Sequence, residues 1–512
     1  MSQNSANNKR IARNTILLYF RMIVTLIVGL FTSRVILDSL GVEDYGIYNL
    51  VGGFVSMFSV VRAGLVSSTQ RFITYDLGSG DFENLKKTFS TVCVIYLCLC
   101  GLVLLFAELG GIWFLDSKLS IPASRLTAAH WVFHLSLITL VVSLLSSPYN
   151  SLIIAHEKMK AFAYITIYEV IAKLIVAYLI YIAPFDKLIT YAILICFVQI
   201  TVPILYWIYC KHNFKEATFC FKFDWPKIKE IYAFAGWSMM GGLAFMGFTQ
   251  GLNMLLGMFF TPVVNAARGI AVQVQGIILQ FVSNFQTAID PQIIKSYARG
   301  DRAYMNQLIS TSSRFSFYLL YLLSLPIILE AEELLGWWLV EVPDYTALFF
   351  RLIIVTTMFD AISNPYGKAI QATGMIRNYQ LVTSSILLLI VPVAYLVLRL
   401  GGDPYSVFVV HIVLGFIAMC SRIYMAQRIA DIPVVHFVLG IIKPVIMVTV
   451  LSIIIPLFAH ISMPEGLVRF IVVLSLSVVC SILAIYNVGL RKEEVDVLKS
   501  KISNVIKKNI IQ

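Results

Sequence analysis

Charge is what this sequence has least of. Of 512 residues only 13% are Asp, Glu, Lys or Arg, while 59% are hydrophobic. Soluble domains carry about 25% charged residues, so a water-soluble fold would have too few charges to cover its apolar surface. That excludes a cytosolic enzyme, a nucleic-acid binder and a secreted domain. The eight cysteines form no CxxC pair and no metal-spaced cluster. Cys93, Cys98, Cys100, Cys196, Cys420 and Cys480 lie inside apolar runs, where a thiol packs as a small hydrophobe. No G-x-x-x-x-G-K-[ST] phosphate loop occurs, so any pumping is driven by an ion gradient or by the cargo's own gradient. The longest stretches outside the apolar runs are 70–88, 210–230, 286–313 and 491–512, each too short for a domain of about 50 residues or more. An integral membrane protein without a separate catalytic domain is the class that remains.

What the sequence has is long apolar runs. Fourteen are near the ~17–25 residues a helix needs to cross a bilayer: 14–37, 46–69, 89–115, 128–154, 161–182, 188–209, 231–260, 263–285, 314–335, 348–372, 380–400, 405–429, 438–461 and 467–490. The net charge of +11 is one-sided. Lys9, Arg10, Lys86, Lys87, Lys158, Lys160, Lys227, Lys229, Lys295 and Arg299 fall on one set of alternate loops. Glu43, Asp44, Asp116, Asp186, Glu332, Glu333, Asp344 and Asp403 fall on the other. The positive-inside rule then predicts both termini in the cytoplasm.

The two halves echo one another. Ser146-Ser147-Pro148-Tyr149, Ala155, Lys160 and Phe162 recur with identical spacing as Ser363-Asn364-Pro365-Tyr366, Ala372, Arg377 and Tyr379. Gly80-Asp81 with Ser90-Thr91 recurs as Gly300-Asp301 with Ser310-Thr311. Six spans per repeat give two bundles in the same orientation, a transporter architecture with the cargo site between the repeats near mid-membrane. The expected organisation is a tail over 1–13, a six-helix bundle over 14–210, a linker over 211–230, a second bundle over 231–429, two extra helices over 438–490 and a basic amphipathic tail over 491–512.

Charges inside spans are the informative residues, since each costs about 2.5–3.5 kcal/mol at a helix centre. Arg21 lies about 10 Å into span 1 at 1.5 Å per residue, and Arg62 lies at similar depth in span 2. Arg34 and Arg268 are nearer the outer ends of spans 1 and 8. Guanidinium forks bind phosphate bidentately and stay charged when buried, so these four predict a basic cavity for a phosphate-bearing head group. Snorkelling to an interface is the competing reading, or for Arg34 a pair with Asp38. Glu169 and Lys173, at i,i+4 in span 5, either neutralise each other or open during transport to meet cargo or a cation. Asp360 precedes Pro365, expected to break or kink span 10. Asp360 either binds H+ or Na+ there or bonds to loosened backbone. In span 8, Gly269, Gln273, Gly276, Gln280 and Asn284 form a polar stripe, extended by Asn253 of span 7, that lines a cavity or packs helices. Pro148 and Pro365, at equivalent positions, serve either bundle rocking or close packing.

The segment from Arg34 to Asn49, with Leu40-Gly41, Glu43-Asp44-Tyr45-Gly46 and Tyr48, resembles the opening of polysaccharide-biosynthesis flippases of the multidrug/oligosaccharidyl-lipid/polysaccharide exporter superfamily. That resemblance implies two six-helix lobes in a V around a central cavity, plus two C-terminal helices. It also implies flipping of an undecaprenyl-diphosphate-linked oligosaccharide across a bacterial cytoplasmic membrane for O-antigen or capsule. Membrane lipids, a polysaccharide polymerase and glycosyltransferases would be the partners, with no nucleic acid and no cofactor beyond a coupling ion, H+ or Na+. Related flippases place cavity arginines on their first, second and eighth helices, the disposition of Arg21 or Arg34, Arg62 and Arg268. A cation-coupled multidrug or metabolite exporter is the alternative. Many such antiporters use an acid in span 1, and here none precedes Asp38. A third reading, a membrane glycosyltransferase, rests on Glu330, Glu332, Glu333, Trp337 and Trp338 in a short outer loop.

Overall fold

A computed structural model describes residues 3–56, 59–118, 122–218, 224–338, 342–491 and 494–496. Apart from short turns these residues are helical, and none of them forms a strand. The tail over 497–512, expected as an amphipathic helix, lies outside the described residues.

Among the described residues, twelve helices are long and apolar enough to cross a membrane. Two of the fourteen expected spans are absent from that set for identifiable reasons. The run over 46–69 crosses residues 57 and 58, which lie outside the description. The run over 263–285 forms part of α8 (Pro262–Ala298), whose glutamine and glycine stripe dilutes an otherwise spanning helix of 37 residues. The chain is therefore a multi-pass, all-helical membrane protein.

Contacts sort the chain into two units, each described by itself: Met1–Leu243 with Thr287–Arg302 and Ile376–Gln380, and Ala244–Gln286 with Ala303–Met375 and Leu381–Gln512. The first holds α1 (Gln3–Ser56), α2 (Ser59–Ser79), α3 (Phe82–Lys118), α4 (Leu126–Ala155), α5 (Met159–Tyr181), α6 (Lys187–Asn213), the first part of α7 (Trp225–Phe259) and the last turns of α8. Helix α1 contains two helices joined at Gly41, whose φ of 80° and ψ of 168° only glycine adopts cheaply. Just beyond it, Arg125 clasps Asp44 through its Nε at 2.8 Å and reaches Asp186 through Nη1 at 2.6 Å. Burial alone would raise the Asp186 carboxyl, but the backbone N–H of Ile189 and the Arg125 guanidinium hold it below its ordinary range.

Helix α2 approaches its neighbours through small residues. A Cβ on Gly64 would overlap the Met239 side chain of α7, and one on Gly78 would lie 2.8 Å from both the Ala298 Cβ and the Lys295 Cα of α8. The Ser68 hydroxyl donates to the Ile231 carbonyl at 3.1 Å. Below α2, Lys227 donates to Asp76 at 3.2 Å and to the Asn84 side-chain oxygen at 2.6 Å, so the start of α7 is pinned to α2 and α3.

The second unit holds the rest of α7 and α8 with α9 (Arg302–Leu329), α10 (Ala331–Trp338), α11 (Thr346–Thr373), α12 (Arg377–Arg399) beyond Gln380, α13 (Ser406–Ala430), α14 (Val434–Phe437), α15 (Lys443–Ser462) and α16 (Leu467–Ala484). Its core runs through Leu256, Ala267, Leu320, Phe349, Ile354, Ile390 and Phe408. The extra helices are tied in by charge at both ends. Glu330, side chain 1% exposed, accepts from His460 at 2.8 Å and meets Arg469 at 3.1 Å. Arg314, also 1% exposed, donates to the Gly489 carbonyl at 2.8 Å and to Glu494 at 2.7 Å.

The internal repeat is visible in the backbone. Gly80 (φ 78°) and Gly300 (φ 75°) make the same left-handed turn before α3 and α9. Pro148 and Pro365 both sit inside continuous helices, α4 and α11. Helix α11 is thus not broken at Pro365. The proline deprives the Ala361 carbonyl of its usual donor, and the Gln286 amide supplies a bond to it at 3.3 Å, while reaching Ser316 at 3.0 Å. One position differs instructively. Where the second repeat ends α11 on Gly374 (φ 85°), the first ends α4 with Glu157 at φ 58°. A left-handed backbone costs a non-glycine residue about 1–2 kcal/mol.

Candidate functional site: a guanidinium-lined cavity

Within the first unit, α1, α2, α4, α5 and α6 enclose a cavity of about 470 Å³. Helix α4 supplies one wall. Ser136, Thr139, Ser143, Ser146 and Asn150 follow one another at intervals of three, four, three and four residues, and all line the cavity. That is the spacing of one helix face, so the stripe turns hydroxyls and an amide inward from an otherwise apolar helix. Across it stand Arg21 of α1, Arg62 of α2, Thr166 and Glu169 of α5, and Gln199 and Tyr206 of α6.

Neighbours fix the polar groups. Arg62 donates from Nε to the Ser147 hydroxyl at 3.2 Å, and that hydroxyl donates in turn to the Ser143 carbonyl at 3.1 Å. The Arg21 guanidinium lies 4.7 Å over the Phe162 ring, an attractive cation–π arrangement. Glu169 accepts from Lys173 at 2.6 Å and from the Gln199 amide at 3.0 Å. The one lining carboxylate is thus already met by a cation, and the two lining guanidiniums leave the cavity positive. Hydroxyl and amide donors beside them suit an anion with further polar substituents, since a charged acceptor gains most from several oriented donors.

The expected site residues fall into separate groups. Arg21, Arg62 and Glu169 share this cavity, with Lys173 bonded to Glu169 at its edge. Pro148 is buried in α4, one residue from the serine that holds Arg62. Arg34 is exposed on α1 and does not line the cavity. The others belong to the second unit. Arg268 donates to the Asn253 side chain at 3.1 Å and to the Thr249 carbonyl at 2.8 Å. Gln273 and Gln280 are exposed, while Asn284 is buried and donates to the Gln280 carbonyl at 2.8 Å. Asp360 lies 3.6 Å from Arg422 of α13, which also donates to Ser363 at 2.9 Å and to Asn364 at 2.7 Å. The guanidinium binds the residues just before Pro365, so Asp360 has a cation beside it already.

Sequence reasoning missed Arg422 because its partners lie about sixty residues away. It missed the α4 stripe although that periodicity was there to read. The outer acidic group takes structural partners: Glu332 forms a bidentate pair with Arg351 at 2.8 and 2.7 Å, and Trp337 packs on Phe470 at 4.6 Å. Among the described residues no group of three or more His, Cys, Asp or Glu has the geometry to hold a metal ion.

No family model matches the chain, and no curated protein matches it in sequence. Solved structures do resemble it in fold. An outward-facing multidrug resistance MATE family transporter of the MOP superfamily superposes with a TM-score of 0.70 at 14% identity, over 83% of this chain and 96% of that one. The MATE transporter ClbM in complex with Rb+ gives 0.69 at 16% identity, over 82% and 94%. A MOP superfamily transporter from Pyrococcus furiosus, described as having a binding pocket of reverse polarity, gives 0.68 at 15% identity, over 83% and 96%. The chain therefore has the fold of these MATE and MOP superfamily transporters.

Proposed function

We propose that the chain is an alternating-access exporter whose first unit selects cargo carrying an anionic group. The observation that carries this reading is the cavity in which Arg21 and Arg62 face a hydroxyl-lined wall while the sole lining carboxylate is paired with Lys173. The structural neighbours' names favour a multidrug exporter, and we place an exporter of drugs or metabolites first, with H+ or Na+ as its proposed coupling ion. Glu169 is the acid best placed to exchange Lys173 for a coupling ion. The charge asymmetry of the loops supports, as part of this proposal, cytoplasmic termini in a bacterial cytoplasmic membrane. Purified protein in proteoliposomes should move a fluorescent anionic amphiphile faster than a cationic one of the same skeleton, and Arg62→Ala should remove that preference. Equal transport of both by the parent protein overturns the charge selection.

A second reading, flipping of a lipid-linked oligosaccharide, is favoured by the same two guanidiniums, which suit a diphosphate. It predicts that Arg62→Ala abolishes surface polysaccharide in a flippase-null strain while the protein still accumulates. Unchanged polymer, or drug sensitivity with no glycan loss on deletion, leaves the exporter reading.

A further inference from the structure

Glu157 is the most deeply buried acid of the first unit, its side chain 0% exposed, and the cavity does not use it. It sits in the turn between α4 and α5, among the basic loops. Arg10 of α1 reaches it at 2.7 Å and Lys295 of α8 at 2.7 Å. The Gln292 amide donates to both carboxylate oxygens at 2.7 and 2.8 Å, and Asn14 donates to its backbone carbonyl at 3.1 Å. Three separate stretches of chain, α1, the α4–α5 turn and the end of α8, thus converge on one carboxylate. Its backbone is left-handed where the equivalent residue of the other repeat is glycine. Strain of this kind persists where the surroundings enforce it and clusters at functional positions. Close by, Gly78 lets the same end of α8 seat against α2, with Arg299 donating to the Gly78 carbonyl at 3.3 Å.

We infer that the Glu157 hub is a latch: it holds the last turns of α8 on α1 and the α4–α5 turn, and it must release for the cavity to open toward the basic loops. This rests on the alternating-access reading but not on any cargo. The contact with the carboxylate is made by side chains alone, so it can part without unwinding either helix, and the buried ion pairs set how firmly it holds. Removing Lys295 leaves Arg10 on the carboxylate and weakens the latch; removing the carboxylate releases it.

Accessibility measures the latch without a transport assay. In a cysteine-free background, Ser143→Cys places a thiol in the cavity, and an impermeant maleimide is added to everted membrane vesicles. Glu157→Gln and Glu157→Gly should raise the labelling rate about tenfold, the factor given by 1.4 kcal/mol. Lys295→Gln should give a smaller rise and carries the test if the Glu157 variants do not accumulate. Gly78→Cys with Ala298→Cys supplies the closing control. A Cβ at position 78 lies 2.8 Å from that of residue 298 and 2.8 Å from the Lys295 Cα, so the end of α8 must move outward to reach the usual disulfide Cβ separation of about 3.5–4.5 Å, and the comparison is between the oxidised and reduced forms of the same variant. Oxidation should cancel the rise and reduction restore it. Unchanged labelling in variants that keep the parent's thermal midpoint, or a rise the cross-link does not cancel, overturns the latch.

Discussion

The Arg314–Glu494 pair joins α9 to the chain beyond α16, and its replacement should be costly in one form and nearly free in another. Arg314 is 1% exposed and has two anchors, the Gly489 carbonyl at 2.8 Å and Glu494 at 2.7 Å. Glu494→Gln keeps an acceptor but leaves a buried guanidinium without its counter-charge. Breaking a fully buried pair costs about 3–5 kcal/mol. Glu494 is 22% exposed, so partial hydration brings the expected cost down to about 2–3 kcal/mol. Arg314→Met should cost less, about 1–2 kcal/mol, because the carboxylate left behind reaches water. The double replacement by methionine removes both charges and should lie within about 1 kcal/mol of the parent. Equilibrium unfolding in mixed micelles, titrated with dodecyl sulfate and followed by tryptophan fluorescence, gives all four corners of the cycle. A Glu494→Gln cost below about 0.5 kcal/mol, or a double variant less stable than either single one, would refute this reasoning.

Two further predictions concern the proline and the linker. Gln286→Leu should cost about 1–3 kcal/mol by orphaning the Ala361 carbonyl, and Pro365→Ala in the same chain should recover most of it by restoring a backbone N–H. No recovery means that Gln286 stabilises through Ser316 alone. On the linker side, burial would raise the Glu216 carboxyl, but the hydrogen bond with His156 at 2.5 Å more than reverses this and holds it below its ordinary value of 4.5. A depressed carboxylate pKa contributes stability above that value, and the contribution is lost as pH falls through the lower folded value. The thermal midpoint should therefore drop below about pH 4.5 less steeply in Glu216→Gln than in the parent. Identical acid profiles would contradict the assignment.

Much of the fold was legible because the bilayer imposes a length and a polarity on every span. Gly80 and Gly300 announced their matching left-handed turns through a shared Gly-Asp motif, and Pro148 and Pro365 announced the repeat. Span 8 was read as polar, and that polarity keeps α8 out of the set of apolar helices. The site was legible only where charge in an apolar run is conspicuous, as with Arg21, Arg62 and Glu169. Arg422 and Glu157 were not, since their meaning lies in partners brought from 58 and 138 residues away. Periodicity cannot report such pairings. The bond that meets the Ala361 carbonyl at Pro365 was unreadable for a similar reason: it comes from Gln286, on another helix.

Selection of cargo by charge in the cavity lined by Arg21 and Arg62 is the central proposal. The most direct measurement is transport by proteoliposomes of two amphiphiles with one skeleton and opposite charge, for the parent protein and for Arg21→Ala and Arg62→Ala. The parent should carry the anion in preference to the cation, and each arginine replacement should remove most of that preference while the protein keeps its thermal midpoint. Faster transport of the cation, unaffected by either replacement, would contradict the account.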